Sequence, residues 1–97
     1  MSERDEILAV LRAELPGLRR HWPIRSLSLF GSVARGEAGP ESDLDVLVEF
    51  EAAIGLSDFL AIEGRLSSLT GRRVELVSRK ALKPHIGRRI LREAVPV

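Results

Sequence analysis

Two aspartates stand at positions i and i+2, at the start of the most strand-like segment of the chain. They are Asp43 and Asp45 of the segment DLDVLVEF, residues 43–50. Side chains alternate along a strand, so the two carboxylates share one face, about 6.6 Å apart along the backbone. Like charges placed this way repel unless a cation lies between them, and hard oxygen ligands suit Mg²⁺. The pair predicts either a magnesium site or, as the plainer alternative, a solvated strand end.

Gly31 and Ser32 directly follow another predicted strand, residues 24–30, and precede a segment that can form only a short helix over 33–37. A glycine without a Cβ and the free N–H groups of a helix start can hold a phosphate, and the serine adds a hydroxyl donor. Taken alone, a Gly-Ser step is most often a turn. The ten residues 33–42 join it to the aspartates, and the combination predicts a phosphate-binding turn beside a metal-binding strand.

The N-terminal segment predicts a helix that positions the first strand. Ser2 and Asp5 resemble a capping box, and apolar residues recur at helical spacing until Pro16-Gly17, where we expect the helix to end. Trp22, in the basic connection that follows, is expected to pack between this helix and the sheet, with an interface role as the minor alternative.

The remaining elements complete an alternating order. Ser57 is predicted to cap a helix over 57–69, with Gly71 as its C-terminal stop. A short third strand follows over 74–77, and Pro84 can open a last helix. The resulting order, αβαβαβα, predicts an α/β (α+β) fold in which a small three-stranded mixed sheet is flanked by about four helices.

Composition limits what the protein can be. The chain has 97 residues, 44% of them hydrophobic and 30% charged, as expected for one globular domain spanning residues 1–97. No apolar run approaches the roughly 18 residues of a membrane span, and the charged start lacks the pattern of a secretory signal. We therefore expect a cytoplasmic protein. Cysteine is absent, which excludes disulfides and thiolate metal sites.

Charge is distributed unevenly along the chain. Residues 1–70 hold 7 Lys or Arg against 12 Asp or Glu, a net charge of −5, whereas residues 71–97 hold 8 against 2, a net charge of +6. General nucleic-acid binding needs a wide basic footprint, so a nucleic acid is not expected as a direct partner. Six basic residues near the C-terminus can meet an acidic partner or a phosphate, but a solvated helix face is the favoured interpretation: Lys80, Lys83, His85, Arg88, Arg89 and Arg92.

The joined segment GSVARGEAGPESDLDVLVEF, residues 31–50, closely resembles the signature of the minimal nucleotidyltransferases, the smallest members of the DNA polymerase β-like nucleotidyltransferase superfamily. In that family a Gly-Ser step precedes an Asp-x-Asp strand. The later segments VELVSRKALKP and ILREAV are similar to the family's third strand and closing helix. The resemblance covers nearly the whole chain and implies a nucleotidyltransferase fold.

The same resemblance implies a function. Such proteins resemble the antitoxin partners of HEPN-domain toxins encoded beside them, in a type VII-like toxin–antitoxin pair. The implied reaction moves AMP from ATP to a tyrosine of the toxin, with Mg²⁺, as two ions, for the cofactor. Carried over by residue, Gly31 and Ser32 match the phosphate-binding step, and Asp43 and Asp45 match the metal-binding, catalytic pair.

The resemblance assigns roles to two further residues, and each of them also has an alternative interpretation. Arg35 matches the family's Ala-Arg-Gly-Glu run and is assigned to nucleotide binding, but an ion pair with Glu37 or Glu41 is at least as good an interpretation. Glu75 stands where the family usually has a third aspartate. It keeps the charge and adds one methylene, so it can serve as a metal ligand or a base, or it can be a surface residue.

Two other functions remain open on sequence grounds. The chain can be a binding module that neutralises its toxin by occlusion alone, with Glu75 marking weakened catalysis. It can also be a nucleotidyltransferase whose acceptor is an RNA or a small molecule. Binding of ATP with Mg²⁺ that disappears in Asp43→Asn separates both kinds of enzyme from the binding module.

The two histidines, His21 and His85, are isolated in sequence and are expected to be surface or partly packed residues.

Overall fold

The computed structural model describes residues 2–39 and 42–97. Helices and strands alternate along these residues, with the bounds α1 Glu3–His21, β1 Ile24–Phe30, α2 Gly31–Ala34, β2 Leu44–Phe50, α3 Leu56–Thr70, β3 Val74–Ser78, a 3₁₀ helix Arg79–Ala81, α4 Pro84–Glu93 and β4 Val95–Pro96. The predicted α/β class, mixed sheet and four flanking helices are confirmed. The sheet differs from the prediction in having a fourth strand.

The sheet has the strand order β3-β2-β1-β4. Strand β2 pairs antiparallel with β1 and parallel with β3, and β4 adds antiparallel to the outer edge of β1. The family resemblance predicts that residues 90–95 belong to the closing helix, but α4 ends at Glu93. Val95 precedes a proline and is therefore biased towards extended backbone, and the N–H of Val97 donates to the carbonyl of Leu27 at 3.0 Å.

The first helix does not end at Pro16-Gly17, as the sequence predicts, but continues to His21. A proline inside a helix costs about 3 kcal/mol. Burial of Leu18, on the same face as Leu11 and Leu15, offsets part of that cost. In addition, the Arg19 guanidinium donates to the carbonyl of Ile24 at 3.3 Å. Tertiary contacts thus override the local stop signal.

Strand β1 departs from strict alternation. Its register against β2 shifts between Ile24 and Ser26, which is the signature of a bulge. The shift allows Ile24 to be buried together with Leu27 and Leu29, although a regular strand would turn Ile24 to the opposite face.

Helix α3 begins at Leu56 after an N-cap at Gly55, so Ser57 lies inside its first turn and is not the cap that the sequence predicts. Its end is as predicted, because Gly71 adopts a left-handed φ of 67° and donates its N–H to the carbonyl of Ser67 at 3.0 Å. This turn leads directly into β3.

The core lies between the sheet and helices α1 and α3. Its fully buried side chains come from both helices and from the two central strands: Leu11, Leu27, Leu29, Leu44, Val46, Val48, Ile62 and Leu66. Trp22 packs against this core and donates its indole N–H to Asp58 of α3 at 3.4 Å. Among the residues described, no helix is long and apolar enough to cross a membrane.

Candidate active site

Gly31 joins β1 to α2 at the place where the sequence predicts a phosphate-binding turn. Its φ is +75°, a conformation that favours glycine. A Cβ built on Gly31 would overlap the Oδ2 atom of Asp45 and lie 3.0 Å from its Cγ. Ser32 is the second residue of α2, is partly buried, and accepts the N–H of Glu37 through its carbonyl at 2.9 Å. The Gly-Ser step therefore lies directly against the Asp-x-Asp strand.

The aspartate pair opens β2. Asp43 is exposed and precedes the strand by one residue, whereas Asp45 is the second strand residue and is partly buried. Leu44 and Val46 are fully buried in the core on the other face. Strand alternation thus turns Asp45 away from the core, as the i, i+2 spacing predicts.

Glu75 lies beside this pair. Strand β3 runs parallel to β2, and Asp45 and Glu75 are direct register partners. Val74 and Leu76, the neighbours of Glu75, are each 5% exposed and face the core, while Glu75 itself is exposed. The expected placement of a third carboxylate next to the Asp-x-Asp strand is therefore present in the sheet.

The electrostatics of the site centre on Asp45. Burial raises the pKa of the Asp45 carboxyl above its ordinary value of 3.8, and the negative charges of Glu75 and Asp43 raise it further. The positive charge of Arg35 acts in the opposite direction. The carboxylates of Asp43 and Glu75 are thus close enough to Asp45 to affect its ionisation.

These carboxylates fit a divalent cation in donor type and charge. Hard carboxylate oxygens are the ligands that Mg²⁺ prefers, and a cation among them would relieve the repulsion that raises the pKa of Asp45. Across residues 2–39 and 42–97, however, no group of three or more His, Cys, Asp or Glu side chains is arranged to hold a metal ion. The carboxylates of Asp43 and Asp45 suit a divalent cation in donor type and charge, and Glu75 is the register partner of Asp45.

Arg35 is held in two ion pairs. Its Nε donates to Glu37 at 3.0 Å and its Nη1 donates to Glu93 of α4 at 3.2 Å, and the pKa of Arg35 is raised, chiefly by the hydrogen bond to Glu37. The pairing with Glu37 is one of the two alternatives to a nucleotide contact that the sequence offers; the other partner, Glu41, lies outside the described residues. Arg35 remains close enough to Asp45 to lower its pKa.

A partly buried arginine next to the aspartate pair, Arg72, is not singled out by the sequence. Arg72 follows the Gly71 helix stop, and its side chain is only 10% exposed. Its Nη1 donates to the carbonyl of Ser42 at 2.8 Å, and its Nη2 pairs with the carboxylate of Glu3 in α1. In sequence it is one of two adjacent arginines before a strand, and nothing in that pattern separates Arg72 from Arg73.

The other polar candidates from the sequence are exposed side chains. His21 and His85 are both exposed and belong to different helices, α1 and α4. The basic residues of the C-terminal segment are also exposed, as expected of a solvated face: Lys80, Lys83, His85, Arg88, Arg89 and Arg92. An open groove of about 980 Å³ has Phe50, Phe59 and Val77 among its lining residues, and it lies at the opposite ends of β2 and β3 from Asp45.

A mixed sheet with a Gly-Ser turn packed against an Asp-x-Asp strand places the chain in the nucleotidyltransferase class, and a model of the nucleotidyltransferase domain matches residues 12–97. Protein adenylyltransferase MntA of Thermococcus cleftensis is 42% identical over 97 residues, which cover 100% of this chain and 98% of that protein. The provisionally named protein adenylyltransferase MJ0128 of Methanocaldococcus jannaschii is 36% identical over the full length of both chains. A solved structure provisionally described as a minimal nucleotidyltransferase has a TM-score of 0.76 at 41% identity, covering 100% of this chain and 97% of that one. The chain therefore belongs to the minimal nucleotidyltransferase family and is an enzyme of the protein adenylyltransferase type.

Two more distant solved structures share the fold. A crystal structure of a toxin–antitoxin with AMP-PNP has a TM-score of 0.70 at 19% identity, covering 96% of this chain and 70% of that one. A tri-AMPylated Shewanella oneidensis HEPN toxin in complex with an MNT antitoxin has a TM-score of 0.61 at 17% identity, covering 97% of this chain and 67% of that one. At these identities the likeness shows the fold alone.

Proposed function

We propose that the chain transfers AMP from ATP to a tyrosine hydroxyl of a HEPN-domain toxin, with Mg²⁺ as the cofactor, and thereby acts as an antitoxin. The observation that carries the proposal is the contact between Gly31 and Asp45, with Glu75 as the register partner of Asp45. It combines a turn suited to phosphate with carboxylates suited to a divalent cation. The similarity to the protein adenylyltransferase MntA supports a protein acceptor, and the AMPylated HEPN toxin in complex with an MNT antitoxin supports a HEPN toxin as the partner.

The reaction is a displacement at the α-phosphorus of ATP. The acceptor oxygen forms a bond to that phosphorus, the bond from it to the bridging oxygen of the β-phosphate breaks, and pyrophosphate leaves. The acceptor gives up its proton to a base. When bound, Mg²⁺ supplies positive charge that neutralises the triphosphate and the charge developing on the leaving pyrophosphate.

The chain's own residues have separate tasks in this reaction. Asp43 and Asp45 would hold the cation, and Gly31, which has no Cβ, lets the backbone of the turn lie directly against the Asp45 carboxylate. The backbone N–H groups and the hydroxyl at Ser32 would donate to phosphate oxygens. Glu75 would act as the third carboxylate, either beside the cation or as the base that accepts the acceptor's proton. Arg35 would contact phosphate only after leaving Glu37 and Glu93.

The test is to incubate the protein with ATP, Mg²⁺ and the product of the neighbouring gene, and to measure the intact mass of that product. We expect a gain of one or more AMP units on a tyrosine, located by peptide mass spectrometry, and no gain with Asp43→Asn. Tight binding of the partner without any mass increment would identify an occluding antitoxin. AMP transfer to an added RNA or small molecule, with the partner left unmodified, would assign a different acceptor.

A further inference from the structure

Asp43 is exposed, but its backbone is fixed on both sides by one loop. The carbonyl of Ser42, immediately before Asp43, accepts a hydrogen bond from the Arg72 side chain at 2.8 Å. The N–H of Leu44, immediately after Asp43, donates to the carbonyl of Arg73 at 2.8 Å. Consecutive residues between α3 and β3 thus hold the two peptide groups that flank the first aspartate of the pair.

The Arg72 side chain is built into this position. At 10% exposure its guanidinium has lost most of its contact with water, and a charge so placed needs partners. The planar guanidinium serves two acceptors at once, the Ser42 carbonyl and the Glu3 carboxylate. The left-handed turn at Gly71 sets the start of this loop, and the N–H of Arg72 donates to the Thr70 hydroxyl at 3.4 Å. Helix α1, helix α3 and the entry to β2 therefore meet at one residue, through the side chain and the backbone N–H of Arg72.

We propose that Arg72 is a positioning residue for Asp43, an inference that rests on the proposed function. Asp43 lies one residue outside β2, so its carboxylate direction depends on what holds the peptide before it. Mg²⁺ requires near-ideal octahedral geometry, so a carboxylate whose orientation is not fixed binds it poorly. The hydrogen bond from Arg72 fixes that peptide, while the Leu44 bond to the Arg73 backbone survives any change of the Arg72 side chain.

The test compares Arg72→Ala with the parent protein. Mn²⁺ binding in the presence of a non-hydrolysable ATP analogue is measured by calorimetry, and the dependence of AMP transfer on Mg²⁺ concentration is measured separately. We expect Mn²⁺ affinity to fall about 10-fold, in the range found when residues supporting metal ligands are changed. The KM for ATP at saturating Mg²⁺ should change much less.

The matched control is Glu3→Gln, which removes the ion pair but leaves the bond from Arg72 to Ser42. Both variants should melt at lower temperature than the parent, and only Arg72→Ala should weaken Mn²⁺ binding. Unchanged Mn²⁺ affinity in Arg72→Ala, or an equal loss in Glu3→Gln, would show that Arg72 is merely structural and would overturn the inference.

Two further variants cover the case in which Arg72→Ala does not fold and separate failure of this inference from failure of the proposed function. Should Arg72→Ala fail to fold, Arg72→Lys is judged by the same measurement, because lysine keeps the charge but lacks the planar group that serves both acceptors. Asp43→Asn tests the proposed function itself. If that variant binds Mn²⁺ as tightly as the parent does, Asp43 is no ligand, and both the proposed function and the inference fail. A loss in Asp43→Asn without one in Arg72→Ala defeats the inference alone.

Discussion

The backbone of Gly31 lies against the side chain of Asp45, so closely that a Cβ on the glycine would overlap the carboxylate. Gly31 directly follows Phe30, the residue that pairs with Asp45 across β1 and β2. The sheet register therefore brings the Gly-Ser turn and the aspartate strand into one site, although 13 residues separate them in sequence between 31 and 45. Any side chain at position 31 displaces the carboxylate that the proposed reaction needs.

The first prediction compares alanine at two glycines. Gly31 and Gly36 have φ values of 75° and 73°, but a Cβ at Gly36 would meet nothing within 4 Å. Both substitutions incur the left-handed strain of a non-glycine residue, about 1 kcal/mol. Gly31→Ala should destabilise the fold further and abolish transfer, whereas Gly36→Ala should keep most of the activity. Chemical denaturation and transfer assays measure the two effects, and equal effects of both variants would contradict the close approach at Gly31.

The placement of the Gly-Ser step beside the aspartate pair could be predicted from the sequence, whereas several boundaries of the surrounding elements could not. The spacing of Asp43 and Asp45, and the Gly-Ser step after a strand, are local patterns whose geometry follows from strand alternation and glycine conformation. The helix end at Gly71 is a local signal of the same kind. The continuation of α1 past Pro16 does not follow from a local pattern, because it depends on burial of Leu18 against other elements.

Long-range pairing explains the rest of what the sequence missed. Strand β4 has only two residues and exists because Val95 and Pro96 meet the edge of β1. The partners of Arg72 at Ser42 and Glu3 lie 30 and more residues away in the chain. Spacing rules carry no information about contacts of this kind.

The second prediction concerns pH and stability without metal. Because the folded-state pKa of Asp45 is raised above 3.8, its ionisation opposes folding. The stabilisation that protonated Asp45 gives the fold is fully present below pH 3.8 and is lost as the pH rises through the raised pKa. The stability of Asp45→Asn relative to the parent should therefore increase over this pH range. Denaturation curves recorded with a chelator present measure the difference.

The control variant is Glu51→Gln, which makes the same kind of change at an exposed carboxylate after β2. Adding Mg²⁺ with an ATP analogue should stabilise the parent and leave Asp45→Asn unaffected, because only the parent keeps both ligands. A parent that gains stability relative to Asp45→Asn as pH rises would contradict a raised pKa for Asp45.

The third prediction ranks the residues of the site by their effect on transfer. Asp43→Asn and Asp45→Asn should each lower transfer by at least about 100-fold, since each removes a charged ligand of the cation that would neutralise the triphosphate. Ser32→Ala should cost less, because the backbone donors of the turn remain. Transfer rates at saturating ATP and Mg²⁺ give the order, and a loss in Ser32→Ala as large as in the aspartate variants would mean that the hydroxyl is essential.

The fourth prediction tests whether Arg35 leaves its ion pairs to meet phosphate. Arg35→Ala should raise the KM for ATP several-fold while leaving the melting temperature nearly unchanged, because exposed ion pairs contribute little to stability. Arg89→Ala is the matched control, since Arg89 also pairs with Glu93, at 3.8 Å, from an exposed position. An unchanged KM in Arg35→Ala would assign this arginine to its ion pairs alone.

The last prediction concerns Glu75, where the sequence departs from the family's usual aspartate. Glu75 is the register partner of Asp45 and raises its pKa, so Glu75→Gln should lower the pKa of Asp45 while removing the third carboxylate. Turnover should fall far more than ATP binding, because a group near the acceptor hydroxyl matters chiefly in the transition state. Glu75→Asp should keep or improve turnover. Glu49→Gln, four residues beyond Asp45 on the same face of β2 and paired with Arg79, serves as the control and should transfer normally. If Glu75→Gln transfers AMP as fast as the parent, Glu75 is a surface residue and the proposed site contains two carboxylates.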